Sequence, residues 1–72
     1  METKSNRRIR FENVAGKRVQ GVIDKLEILS NCSNRNNYEF SEDDVRKMFG
    51  AIREKLKYTE SKYSEQLAKK SR

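Results

Sequence analysis

The chain has 72 residues, 33% of them hydrophobic and 39% charged, with 17 Lys and Arg against 11 Asp and Glu for a net charge of +6. A chain this short holds one domain at most and buries a small fraction of its surface, so it needs a staple, a metal or a partner subunit. With no histidine and one cysteine, it has no internal disulfide, no nucleophile–histidine dyad and few ways to bind zinc.

The absence of Pro and the abundance of Lys, Glu, Arg and Leu favour helix over disorder. The charged N-terminus, METKSNRRIR, has no apolar segment behind it and does not read as a secretory signal. No apolar run approaches the roughly 20 residues of a membrane span. A soluble, cytoplasmic protein with no membrane contact is expected. The positive charge favours acidic partners, nucleic acid first among them. Residues 1–35 carry eight basic and four acidic side chains and residues 36–72 carry nine and seven, so the excess leans towards the N-terminal half.

Residues 1–8 are polar and are expected to form a flexible basic segment. From Ile9, apolar residues recur at Phe11, Val14, Ala15, Val19, Val22, Leu26 and Leu29, which predicts a helix over 9–30 with one buried face. Gly16 and Gly21 each cost about 1 kcal/mol against Ala in a helix interior. Gly21 is either tolerated or marks the close approach of a neighbouring helix. Projected at about 100° per residue, Arg7, Arg10, Lys17, Arg18 and Lys25 fall along one flank of the apolar stripe. Glu12, Gln20 and Glu27 fall on the other side. Arg18 lies nearly within the stripe, where it either lays its stem over the core or pairs with an acid of the other helix. The flank reads as a solvated face or as a phosphate-facing stripe.

Asn31 has the residue type of a helix C-cap in the left-handed conformation. Cys32 to Asn37 is turn chemistry, so a turn is predicted over 31–40. Tyr38 and Phe40 alternate with Glu39, and both rings are expected to close over the end of a helical pair. Ser41 has the type and position of an N-cap, and Glu42, Asp43 and Asp44 place negative charge at the positive end of the next helix. Phe40 and Val45 have the spacing of a hydrophobic staple. Asp44 stands where a full capping box has Glu or Gln, so the box is expected to be incomplete.

A second helix is predicted over 42–69, with Val45, Met48, Phe49, Ile52, Leu56, Tyr63 and Leu67 on one face and Thr59 completing the spacing. Glu42–Arg46, Asp43–Lys47 and Glu65–Lys69 have the favourable acid-first order for pairing four residues apart. Lys55, Lys62 and Lys69 repeat every seven residues and read as a solvated edge. This helix outruns the first by about two turns as bounded here, which points to a second subunit over Tyr63 and Leu67.

Catalytic chemistry is missing. Cys32 has no histidine to activate it, the acids of 42–44 are explained by the helix start, and no Gly-rich phosphate loop, CxxC pair or EF-hand spacing occurs. No catalytic residue, metal or cofactor is expected.

At NCSNRNNYEFSEDDVRKMFGAI the chain resembles small, uncharacterised helical proteins of conjugative elements, prophages and genomic islands of Gram-positive bacteria. The resemblance extends upstream through FENVAGKRVQGVIDKLEIL, covering roughly residues 11–56. The shared features are matched by Phe11, Ala15 and Arg18, by Asn31 to Asn34, by Tyr38 and Phe40, and by Glu42 to Asp44 and Phe49. The resemblance implies a bacterial setting and a mobile-element accessory role.

The expected architecture is all-α: an antiparallel two-helix hairpin over 9–70, completed by homodimerisation into a four-helix arrangement. The expected function is non-enzymatic binding of DNA or RNA through Arg7, Arg8, Arg10, Lys17, Arg18 and Lys25. The alternative is an adaptor or inhibitor directed at a host or mobile-element protein. A ribbon-helix-helix regulator, with Arg8 and Arg10 in a short strand, is a minor variant disfavoured by the long turn and long second helix.

Overall fold

A computed structural model describes residues 5–70. Two long helices account for most of them: α1, Asn6–Ser30, and α2, Glu42–Lys70, with a 3-10 turn at Asn31–Ser33 following α1. No strand occurs among the described residues, so the ribbon variant fails: Arg8 and Arg10 are helical. The chain divides into two helical units between Tyr38 and Glu39.

In the first unit, α1 begins three residues before the expected Ile9. The cause is a cap that hydrophobic periodicity does not register. Ser5 has extended backbone (φ −70°, ψ 161°), and its Oγ accepts from the Arg8 N–H at 3.1 Å. The Ile9 N–H donates to the Ser5 carbonyl at 3.1 Å, closing the first turn. Asn6, Arg7 and Arg8, placed by the sequence reading in a flexible segment, therefore belong to the helix. Residues 1–4 of that segment lie outside the described residues. With 25 residues in α1 and 29 in α2, the lengths differ by about one turn rather than two.

Asn31 occupies the C-cap position, but not in the left-handed conformation expected of it. Its backbone is helical (φ −69°, ψ −19°), and its N–H reaches the carbonyls of Ile28 and Leu29. No described residue has positive φ. The helix instead tightens into the 3-10 turn, a common way of satisfying terminal carbonyls. The Ser30 hydroxyl meanwhile donates back to the Glu27 carbonyl at 2.6 Å. Asn34, which is extended (φ −73°, ψ 106°), then organises the next turn. Its Oδ1 accepts from the Asn36 N–H at 2.9 Å, and its carbonyl accepts from Asn37 and Tyr38 at 3.1 and 3.0 Å.

In the second unit, Ser41 and Asp44 form a closed capping box. Ser41 Oγ accepts from the Asp44 N–H at 3.1 Å, and Asp44 Oδ2 accepts from the Ser41 N–H at 2.9 Å. The shorter carboxylate thus does what the sequence reading reserved for Glu or Gln. Phe40, Val45, Phe49 and Ile52 are half-buried around this start, whereas Tyr38 in the preceding unit is exposed, contrary to its expected place in a core.

Both helices carry a seam whose intervals alternate between four and three residues. In α1 it runs Ala15, Val19, Val22, Leu26, Leu29; in α2 it runs Val45, Phe49, Ile52, Leu56, Thr59, Tyr63. A repeat of 3.5 residues keeps a seam facing one partner along a left-handed supercoil. The hydroxyl of Thr59 donates to the Lys55 carbonyl at 2.8 Å, which satisfies its polar group within its own helix. No described side chain is buried. Val19, Val22, Leu26, Leu56 and Tyr63 are all exposed. In proteins most helical stability comes from packing of an apolar face, and the seams are the apolar faces these two helices present.

Candidate nucleic-acid interface

The six basic residues singled out in the sequence all lie on α1, and all are exposed. From Arg7 to Lys25 they extend along about 27 Å of helix at 1.5 Å per residue. Arg7, Arg18 and Lys25 are separated by eleven and seven residues and share one line of the surface; Arg10 and Lys17, seven apart, form an adjacent line. No ion pair engages these five side chains among the described residues.

Arg8 is set apart. It lies about 100° around the helix from Arg7. Its guanidinium is bound to Glu12 at 2.9 Å and lies 5.5 Å from the centroid of Phe11. Arg8 is thus engaged within α1 by an exposed pair, whereas Arg7, Arg10, Lys17, Arg18 and Lys25 are the members of the candidate surface without one among the described residues. Arg18 is exposed beside the seam.

The two helices treat their N-termini in opposite ways. In α2 the first turn carries Glu42, Asp43 and Asp44, which suit the positive end of the helix dipole. The first turn of α1 carries no acid and two arginines, Arg7 and Arg8. Each cation there opposes the dipole by roughly 0.3–1 kcal/mol at low ionic strength.

On α2, Asp43 gathers two cations. Arg46 approaches it at 2.9 Å and Lys47 at 3.7 Å, both exposed pairs. Arg46 thus uses a carboxylate three residues away instead of the expected Glu42. Further along, Tyr58 lies between two lysines: the Nζ atoms of Lys55 and Lys62 are 4.9 and 5.2 Å from its ring centroid. The sequence reading grouped Lys55, Lys62 and Lys69 as an edge but did not attach Tyr58 to them. The signal was present as Lys at three before and four after a tyrosine off the apolar face.

Among the described residues no group of three or more His, Cys, Asp or Glu could hold a metal ion, and no helix is long and apolar enough to cross a membrane. Cys32 is an exposed free thiol. Compared with known proteins, the chain matches no family model, no curated protein and no solved structure.

Proposed function

We propose that this chain is a non-enzymatic, nucleic-acid-associated accessory or regulatory factor of a bacterial mobile element, acting in the cytoplasm as a homodimer of helical hairpins. The observation that carries the reading is the basic opening of α1. Arginines at the positive end of a dipole lower helix stability, whereas α2 shows that this chain can supply carboxylates at such a place. A polyanion supplies the compensating charge.

The seams support the hairpin. Both repeat at the same 3.5-residue spacing, so each offers the other a continuous apolar partner. A second copy completes a four-helix arrangement.

Exposed apolar side chains outside the seams, among them Val14, Ile23, Ile28 and Met48, favour a second reading, in which this surface takes a host or mobile-element protein and the chain acts as its adaptor or inhibitor.

Mass by light scattering, with and without a random-sequence DNA duplex, tests the proposal. A dimer that shifts onto the duplex at low salt supports it. If five phosphates are neutralised, affinity falls about 500-fold between roughly 50 and 200 mM salt. A particle that ignores the duplex at low salt overturns the nucleic-acid reading and leaves the protein-partner reading, to be pursued by isolating a stoichiometric complex.

A further inference from the structure

The Tyr58 cluster is left unused by the basic flank of α1. Tyr58 sits on the side of α2 away from the seam and is 54% exposed. An aromatic ring there contributes nothing to seam packing. Lys55 and Lys62 rest near its ring, and among the described residues no ion pair draws either lysine to a carboxylate. Such contacts give an exposed helix modest support, as a Glu–Lys pair also does. What the cluster offers beyond helix support is a π-face between two mobile cations.

That combination suits one chemical class. A phosphodiester chain with unpaired bases presents anions for the lysines and a flat π-system for the ring, whereas a duplex keeps its bases stacked on one another. We infer that Tyr58, bracketed by Lys55 and Lys62, is a stacking site for a base of single-stranded nucleic acid, with the two lysines on the flanking phosphates. This rests on the nucleic-acid reading above and deepens it, by naming the strandedness of the ligand and a contact on α2. On binding, the lysines exchange the ring for phosphate, and the base takes the ring face they leave.

The chain has no tryptophan, so Tyr58→Trp introduces a single reporter that retains both the π-face and the cation contacts. The experiment titrates this variant with a 20-nucleotide oligothymidylate and, separately, with inorganic polyphosphate, which has charge but no bases. The expected result is quenching of the indole by oligothymidylate and none by polyphosphate. In parallel, Tyr58→Leu, which keeps bulk and helix propensity, weakens oligothymidylate binding about 5- to 160-fold and leaves duplex binding unchanged. Lys55→Ala with Lys62→Ala reduces the single-strand salt slope by about 1.4. Helix content by circular dichroism checks that each variant retains its structure. Binding of oligothymidylate without quenching, together with an unaffected Tyr58→Leu, overturns the stacking site while leaving the nucleic-acid reading intact. Failure of the unmodified protein to bind either oligothymidylate or duplex at low salt defeats both.

Discussion

Ser41 and Asp44 bond each other reciprocally at the start of α2, side chain to backbone in both directions, at 3.1 and 2.9 Å. Each satisfies a backbone N–H that the helix geometry leaves open. Ser41→Ala is expected to cost about 1 kcal/mol, and removal of the Asp44 carboxylate about the same. Because both belong to one closed ring, the double variant loses less than the sum of the singles. Thermal melts of the four proteins measure the coupling; strict additivity contradicts a closed box.

The start of α1 is expected to respond in the opposite sense. Arg7→Glu exchanges an unfavourable charge for a favourable one beside the Ser5 cap and raises helix stability by about 1 kcal/mol at low salt. On the nucleic-acid reading proposed above, the same change is expected to lower affinity for DNA. A melt followed at two ionic strengths reads the first effect, and its loss at high salt identifies it as electrostatic. A variant that is destabilised at low salt removes the dipole argument.

Gly21 reports on its neighbours. A Cβ built at this position meets nothing within 4 Å, and the same holds at Gly16. Gly21→Ala is therefore expected to stabilise α1 by about 0.5–1 kcal/mol, the helix-propensity difference between the two residues. Gly16→Ala serves as the comparison. If Gly16→Ala stabilises and Gly21→Ala destabilises, another helix backbone packs against Gly21 in solution.

The proposed hairpin is testable through covalent chemistry. In a Cys32→Ser background, one cysteine on each seam, Val22→Cys with Ile52→Cys, is expected to oxidise within one chain if the hairpin forms, leaving the mass of the denatured protein that of a monomer. Cross-linked dimers in place of monomers place the seams between copies instead. Phe49, half-buried within its own unit, is the large ring of the α2 seam. Phe49→Ala is expected to cost about 3–5 kcal/mol once that seam is covered, enough to abolish cooperative melting in so small a domain. A near-native melt excludes Phe49 from the core.

The amino-acid sequence by itself determined the two helices, the start of α2 at Ser41 and the basic flank of α1. Apolar periodicity, capping residues and charge order act over three or four residues, and the neighbours that matter are neighbours in the chain. The three-dimensional structure decided what competes for the same group. Ser5 starts α1 at Asn6 because its hydroxyl reaches the Arg8 N–H, an interaction without an apolar signature. Asn34, and not Asn31, makes the turn, since the 3-10 path already satisfies the carbonyls at the end of α1. The cations were legible as residue types but not as partners. Arg8 goes to Glu12 and Phe11, Arg46 and Lys47 to Asp43, and Lys55 and Lys62 to Tyr58. A long side chain reaches acceptors at three and at four residues with similar energy, so only the positions of all the candidates in space select among them.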